Sequence, residues 1–528
     1  MTFQLGKKGI IIVFVLLAAI TLSFRALPLI NGFVGSESMV AFAAMNFTVQ
    51  NNYILPQNIT NLTSSPPYQF RFTEAPFLVY AVTVPYHYLH PLLTILEIAY
   101  LIKSLFIILS ILIIIFFCKR ITGGYKAGML AVGLFAVFPT ANFIQGFLEW
   151  NGDFFLPILL LASIICLILA RESWERTNWH LSSTALFSCL SIILLIGATI
   201  SWRGGEFALV SYAAVLLFII LNSILKNTRK AFGIVFTIGV VAWFFFARTD
   251  IQNTGSILIV LTQQMYSNLN VSILANAYKD IATIVIALIG FTIAGALVFL
   301  GAIEFFKKKN IELFGIILLL MVIAIPVALQ DSRFASLMVI EVAIIGGIML
   351  SLINSKRLLL GFCILIALCG VTTVMQIITT QALFYSSPSY HSAMQWIESN
   401  TPANSLFITD YLDSAAIQYW GNRSVYGTSW WNDNISSFPD FLYTTPCNAT
   451  YLIKSMANYM VINKFWCTSN ASSTTPCETL LVQYNLNTSP TSTTFDQLEY
   501  GNVTACGSLQ LNLTYQNNQT RIYRIEDG

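Results

Sequence analysis

The sequence predicts a polytopic α-helical membrane protein with a C-terminal extracytoplasmic domain of mixed α/β type, and three observations carry the prediction. Apolar runs of roughly 20 residues, the length that crosses a hydrocarbon core about 30 Å thick, recur through residues 1–385. The clusters of Lys and Arg at the ends of those runs fall on one side of the implied membrane. From Ser386 the composition changes, and residues 386–528 are polar and rich in Asn, Ser, Thr and Tyr. Over all 528 residues, 56% are hydrophobic and 10% charged, against about 25% charged in a soluble globular domain. A formal net charge of +3 supplies no footprint for nucleic acid.

The first run, about residues 10–30, follows Lys7 and Lys8. Its apolar core is longer than that of a secretory leader and lacks a clean small-residue cleavage site, so it reads as a first span. A long outer loop follows over residues 31–90, with Pro66-Pro67 and the aromatic stretch Tyr86-His87-Tyr88. Further runs lie near 98–118, 124–143, 154–170, 182–200, 206–225, 231–247, 281–303, 311–329, 335–353 and 358–379, about eleven spans in all. The basic groups Lys7/Lys8, Lys119/Arg120, Arg171 to Arg176, Lys226 to Lys230, Lys307 to Lys309 and Lys356/Arg357 share one face. The positive-inside rule makes that face cytoplasmic, with the N-terminus inside and the C-terminus outside. A second signal, independent of charge, agrees. The glycan-acceptor pattern Asn-x-Ser/Thr occurs at Asn46, Asn58, Asn61, Asn270, Asn422, Asn434, Asn448, Asn470, Asn487, Asn502, Asn512 and Asn518, each on the predicted outer side.

Residues 1–385 therefore form a transmembrane domain and 386–528 a C-terminal globular domain. The latter holds Cys447, Cys467, Cys477 and Cys506 in an oxidising compartment, which allows two disulfides in any of three connectivities. Cys118, Cys166, Cys189, Cys363 and Cys369 lie in or beside spans and read as small buried apolar residues.

Phosphate-cradling loops, His-Glu-x-x-His and Gly-x-Ser-x-Gly are absent from the sequence. Polar residues concentrate at the outer ends of spans instead: Glu37, Glu149 with Asp153, Trp202-Arg203-Gly204-Gly205-Glu206, Arg248 with Asp250, Asp331 with Arg333, and Asp410. Lys103 and Glu341 are the chief exceptions within spans. A pump or transporter concentrates its charges near the midplane, so this distribution points to chemistry at the outer leaflet. The chain is organised around Gly146-Phe147-Leu148-Glu149-Trp150-Asn151-Gly152-Asp153, two carboxylates and an amide between two apolar runs. An ordinary interfacial loop has the same composition; the functional reading makes it the floor of an active site. Carboxylates from separate outer loops suit a hard divalent cation, Mn²⁺ or Mg²⁺, because both take oxygen ligands. Arg333, in Asp331-Ser332-Arg333-Phe334, lies at the level of a lipid-linked phosphate, which a guanidinium grips through two parallel hydrogen bonds.

The order of these features resembles the catalytic subunit of oligosaccharyltransferase, over nearly the whole chain. Gly35-Ser36-Glu37-Ser38, followed by Phe42, Phe47 and Asn51-Asn52-Tyr53, resembles that family's first-loop acidic motif, with Glu37 at the metal-binding acid. Gly146 to Asn151 resembles its second-loop motif, with Glu149 and Asn151 at the two ligand positions, or Asn151 and Asp153 in a shifted alignment. Ser201-Trp202-Arg203-Gly204-Gly205 is similar to its Trp-Gly-Gly turn, and Ser332-Arg333-Phe334 to the Arg-Phe whose arginine contacts the carrier phosphate. The clearest local match runs from Gln395-Trp396-Ile397-Glu398-Ser399-Asn400-Thr401-Pro402 through Asp410-Tyr411 to Gly421-Asn422-Arg423. The resemblance implies a GT-C transmembrane domain of about 11 to 13 spans in the plasma membrane, with the active site outside. It also implies a polyprenyl-linked glycan donor, an acceptor protein or peptide, a lipid bilayer around the spans, and a divalent metal.

The sequence departs from the family at the acceptor site. Where the family has Trp-Trp-Asp-Tyr-Gly this chain has Ile408-Thr409-Asp410-Tyr411-Leu412, which leaves Asp410 and Tyr411 as acceptor-binding candidates without the two tryptophans. Trp430-Trp431-Asn432-Asp433 lies about twenty residues too late to replace them. The family's outer-loop Glu falls near Leu261 to Met265, where Gln264 stands. Three readings are therefore open: transfer to asparagine, a related GT-C transferase with a hydroxyl or lipid acceptor, and a non-catalytic relative.

Overall fold

The computed structural model describes residues 7–26, 36–50, 52–54, 58–59, 70–71, 76–137, 152–176, 181–201, 205–251, 312–330, 337–353, 355, 360–361, 364, 388–409, 411–426, 449–463, 505–518 and 520–527. In chain order the described elements are α1 (Lys7–Ala26), α2 (Ser36–Gln50), β1 (Asn58–Ile59), β2 (Phe70–Arg71), α3 (Pro76–Leu89), α4 (Ile95–Thr122), α5 (Lys126–Val137), α6 (Gly152–Arg176), α7 (Leu181–Ile200), α8 (Gly205–Leu225), α9 (Thr228–Ile251), α10 (Glu312–Gln330), α11 (Val339–Ser351) and α12 (Pro388–Asn400). They continue with β3 (Leu406–Ile408), α13 (Tyr411–Tyr419), β4 (Ser424–Val425), α14 (Ala449–Ser455), β5 (Tyr459–Asn463), β6 (Ala505–Cys506), β7 (Leu509–Gln516) and β8 (Thr520–Asp527). Two compact units result. One comprises Met1–Ile30, Glu74–Ala81 and Leu96–Ile378, the other Asn31–Thr73, Val82–Ile95 and Thr379–Gly528.

The first unit is helical because a run of about 20 apolar residues in lipid satisfies its backbone hydrogen bonds within its own segment as a helix. Among the described residues four helices are long and apolar enough to cross a membrane: Ile95–Thr122, Phe154–Glu175, Ser182–Ile200 and Gly205–Leu225. Shorter apolar helices cover Ile12–Ser23, Lys126–Ala136, Glu312–Ala324 and Val339–Ser351. The run at 281–303 and nearly all of that at 358–379 lie outside the described residues. Helix α6 is the hub, with 72% of its apolar window buried against 11% for the neighbouring α7. On α7, Leu186, Ile193 and Ile196 are all more than half exposed, an outward face suited to lipid rather than water.

Polar side chains join the hub to its neighbours. Ser163 Oγ on α6 donates to the Ser191 carbonyl on α7 at 2.7 Å, and Ser191 Oγ donates back to the Ser163 carbonyl at 2.9 Å. Tyr212 OH on α8 lies 2.9 Å from Ser191 Oγ, so one small buried network spans three helices. At the end predicted to be cytoplasmic, Arg120 pairs with Glu172, and Arg171 pairs with both Glu175 and Glu312. A close helix crossing completes the unit: a Cβ on Gly347 of α11 would stand 2.4 Å from Ala131 Cβ and 2.6 Å from the Ala127 carbonyl oxygen on α5. Only glycine lets these two backbones approach so closely.

The second unit is built on a six-stranded mixed sheet in the order β4-β3-β5-β8-β7-β6. Strand β3 runs parallel to β4 and β5, and the β5-β8-β7-β6 ladder is antiparallel. Central strand β5, Tyr459-Met-Val-Ile-Asn463, is buried along its whole length, which explains its unbroken apolar middle. One face packs Leu406, Ile408, Met460, Ile462, Leu509, Leu511 and Tyr523 into a core under Leu452 of α14. On the other face Phe407 and Tyr459 stack with ring centroids 5.0 Å apart. Cys506 is disulfide-bonded, while Cys447, Cys467 and Cys477 lie outside the described residues. The stretch 31–90 that reads as a loop contains α2 and α3. Helix α2 packs on α13 with Phe42 against Tyr419, ring centroids 5.7 Å apart.

Candidate active site

Three of the predicted motifs meet the start of a helix. Glu37 is the second residue of α2, Asp153 the second of α6 and Tyr411 the first of α13, with Asp410 immediately before it. The first turn of a helix has unpaired N–H groups and a partial positive charge, so carboxylates are stabilised there and anions are drawn to it. Helices α2 and α13 pack together within one unit, which holds the Glu37-bearing and Tyr411-bearing helices in fixed relation. The side chains of Glu37, Asp153 and Tyr411, and all of Glu149, Asn151, Gln264, Arg333 and Asp410, lie outside the described residues. No group of three or more His, Cys, Asp or Glu side chains suited to a metal is found among the described residues.

Gly205, the last residue of the Trp-Gly-Gly-like motif, is held to glycine by sterics. A Cβ on Gly205, where α8 begins, would fall 1.9 Å from the Thr199 carbonyl oxygen. Buried Ser201 closes the end of α7 by donating from Oγ to the Ala198 carbonyl at 2.8 Å. This glycine therefore lets the start of α8 approach the last turn of α7.

The motif pair around Asn400-Thr401-Pro402 and Asn422-Arg423 is one structural knot. Arg423, 7% exposed, donates from Nε to Thr401 Oγ1 at 2.9 Å, and from Nη2 to the Thr401 and Glu398 carbonyls, both at 2.6 Å. Nη1 donates to the Asn422 carbonyl at 2.9 Å. The guanidinium thus satisfies carbonyls left open at the C-terminus of α12 and complements the negative end of that helix. Its task is to lock α12 to the segment after α13. Gly421 fits the same knot, since a Cβ there would lie 2.7 Å from the Ile417 carbonyl oxygen.

Sequence reasoning missed Asp413. It is 1% exposed on α13, and its Oδ1 accepts hydrogen bonds from Tyr390 OH at 2.6 Å and Asn463 Nδ2 at 3.1 Å. No local sequence pattern singles it out, because its partners stand on other elements. In the first unit Lys103, also 1% exposed, places its ammonium 5.0 Å from the centroid of the Phe154 ring, one residue past Asp153.

No protein-family model and no curated protein sequence matches the chain. Solved structures do. The oligosaccharyltransferase of Archaeoglobus fulgidus, tethered to an acceptor peptide containing the NVT sequon, aligns with a TM-score of 0.60 at 14% identity over 87% of this chain and 69% of that one. The fold is that of an oligosaccharyltransferase. The same archaeal protein, AglB, in complex with an inhibitory peptide and a dolichol-phosphate, aligns at 15% identity with a TM-score of 0.59, over 86% of this chain and 69% of that one. ArnT from Cupriavidus metallidurans, bound to undecaprenyl phosphate, aligns at 10% identity with a TM-score of 0.50 over 98% of both chains.

Proposed function

We propose that this chain is a membrane glycosyltransferase that moves an oligosaccharide from a polyprenyl (phospho)phosphate carrier to the asparagine of Asn-x-Ser/Thr in proteins. The observation that carries the reading is the oligosaccharyltransferase fold over 87% of the chain, together with that family's motifs in order from Glu37 to Arg423. In the proposed arrangement a domain of about 11 to 13 spans crosses the plasma membrane, and residues 386–528 lie outside the cell with the active site. The bond that forms joins the acceptor amide nitrogen to the anomeric carbon. The bond that breaks joins that carbon to the carrier phosphate oxygen, and the amide gives up one proton.

Each predicted residue takes a role in that exchange. Glu37 and Glu149, with Asn151 and Asp153, offer an all-oxygen donor set of the kind that Mn²⁺ or Mg²⁺ accepts. A divalent ion bound there would supply charge neutralisation for the departing phosphate. Arg333 grips the same phosphate through its planar fork. Glu37 and Glu149 orient the acceptor amide, while Asp410, Tyr411 and Gln264 hold the acceptor peptide, with Asp410 accepting a hydrogen bond from the Ser/Thr hydroxyl.

A second reading, a related transferase with a hydroxyl or lipid acceptor, is favoured by the absence of the Trp-Trp pair before Asp410. One assay separates the two. Purified protein is incubated with lipid-linked glycan and a fluorescent Asn-x-Thr peptide, with and without Mn²⁺. Glycopeptide formation that depends on the metal supports the first reading. Donor consumption without glycopeptide, with the sugar appearing on lipid or on a hydroxyl, supports the second.

A further inference from the structure

The Asn-x-Ser/Thr motifs of the chain itself orient it across the membrane, and their surroundings in the fold set one of them apart. At Asn46, Asn422, Asn512 and Asn518 both the asparagine and the hydroxyl-bearing residue two positions later are described, and each of these asparagines is exposed. Thr48, Ser424 and Thr520 are 0%, 9% and 1% exposed, so the fold hides the hydroxyl half of three motifs. Asn512-Leu513-Thr514 alone among these four keeps both halves at the surface. An enzyme that reads the asparagine together with the hydroxyl meets a whole motif there.

The position of that motif in the sheet gives a glycan something to do. Strand β8 pairs with β7 along its length, whereas β6 covers the other side of β7 only at Leu509 and Gln510. From Leu511 to Gln516 that other side has no strand partner among the described residues, which leaves an open sheet edge. Open edges recruit strands from other chains, and proteins guard them with charge, proline, bulges or cover. Strand β7 reads Leu-Gln-Leu-Asn-Leu-Thr-Tyr-Gln, without charge or proline, and Leu513 on it is 45% exposed. A register shift between Leu513 and Tyr515 is the guard that the backbone itself supplies. Asn512 stands beside both.

We propose that Asn512 is a modification site of this chain, that it carries an N-linked glycan, and that the glycan covers the open edge of β7. The inference rests on the proposed outer placement of residues 386–528 and on a polyprenyl-linked glycan as donor; it does not need this chain to be the transferring enzyme. In the transfer Asn512 Nδ2 bonds the anomeric carbon, and the bond from that carbon to the carrier phosphate oxygen breaks. The phosphate keeps the electron pair, and the nitrogen gives up one of its two hydrogens as a proton. The second hydrogen remains for the bond that Nδ2 donates to Glu526 Oε2 on β8 at 2.6 Å. The side chain therefore keeps its tie to the neighbouring strand while it bears a bulky, solubilising group.

The test uses the full-length protein, expressed in a host that modifies an Asn-x-Thr sequon on a co-expressed exported reporter, with glycans mapped by peptide mass spectrometry. Asn512 is expected to carry glycan in the wild type and in Thr514→Ser, and to lose it in Thr514→Ala, which keeps the asparagine and its bond to Glu526. Asn512→Gln loses the glycan too, but keeps the bond that Thr514 Oγ1 donates to the Ile522 carbonyl at 3.0 Å. Size-exclusion chromatography of the detergent-solubilised protein reads the shielding. Both glycan-free variants are expected to shift toward large assemblies, and Leu513→Lys added to Thr514→Ala to restore the wild-type elution, since a charge guards an edge as a glycan does. Glycans on other sequons with Asn512 bare overturn the site. A chain with no glycan at all overturns the site and the outer placement together. Glycan at Asn512 with wild-type elution in both variants, or a shift that Leu513→Lys leaves uncorrected, overturns the shielding role.

Discussion

Arg423 and Thr401 are joined twice, Nε to the hydroxyl at 2.9 Å and Nη2 to the carbonyl at 2.6 Å, so two segments twenty-two positions apart are clamped by one planar cation. A lysine cannot reproduce the clamp, because an ammonium point charge reaches one or two acceptors where the fork reaches four groups at fixed angles. Arg423→Lys is expected to destabilise the sheet unit by about 2 to 4 kcal/mol, through carbonyls left open in a buried setting. Thermal or denaturant unfolding of the variant in detergent measures the loss, and wild-type stability in Arg423→Lys would disprove the clamp.

Gly347 gives a steric prediction in the membrane unit. Since an added Cβ meets Ala131 Cβ at 2.4 Å and the Ala127 carbonyl oxygen at 2.6 Å, Gly347→Ala forces α5 and α11 apart at a cost of about 1 to 3 kcal/mol. Ala131→Gly in the same chain removes the first clash and leaves the second, so the double variant is expected to recover only part of the loss. Full recovery would place the strain on the methyl group alone, and no loss in the single variant would mean that the helices are not so close.

The apolar runs made the helices legible, since a run of about 20 apolar residues is the length of a membrane-spanning helix, and the runs near 98–118, 154–170, 182–200 and 206–225 each lie within a helix. The sheet unit was legible only as a change of composition at Ser386. Its strands β3 and β5 pair across more than fifty positions, and no local pattern encodes such a pairing. The same applies to the candidate site. The sequence picks out acids at helix starts because their chemistry is local, but it is silent on Asp413, whose meaning comes from Tyr390 and Asn463 on other elements. Family motifs showed that Thr401 and Arg423 belong together without showing that their link is structural.

The acidic motifs carry a chemical prediction. If Glu37 and Glu149 hold a divalent ion, Glu37→Gln and Glu149→Gln each remove one anionic ligand and are expected to lower kcat/KM on the order of 100-fold while expression stays intact. Chelation with EDTA is expected to abolish wild-type transfer and Mn²⁺ to restore it. Asn151→Ala, which removes a neutral ligand, is expected to cost less. Full activity in both Gln variants, or transfer that ignores chelation, would rule out a metal site built from these residues.

His391 makes stability depend on pH. The imidazole is half-buried on α12 with its ring 4.4 Å from that of Trp420, and burial holds its pKa below the ordinary histidine value. Between the lowered folded value and the unfolded value near 6.5, the unfolded chain binds more protons, so stability rises with pH through that window. The contribution is complete above the unfolded value and is lost as pH falls through the folded one. Unfolding measured from pH 7.5 down to pH 5 is expected to show stability falling below about pH 6.5, with a shallower fall in His391→Phe. An equally steep fall in that variant would assign the effect to another group.

The proposed donor contact is Arg333. An arginine that merely anchors a helix at the membrane interface is replaced without harm by lysine, since both present a charge and a flexible apolar stem to the headgroups. An arginine that grips a phosphate through two parallel hydrogen bonds is not, because the ammonium keeps the charge and loses the second bond. Arg333→Lys is therefore expected to raise the KM for lipid-linked glycan about tenfold while leaving the peptide KM where it was, and Arg333→Ala to raise it further. The measurement is initial rates over a range of donor at saturating peptide, then the reverse. An unchanged donor KM in Arg333→Lys would return the residue to the anchoring role. A rise in peptide KM instead would move it to the acceptor side, where Asp410 and Tyr411 are proposed to act.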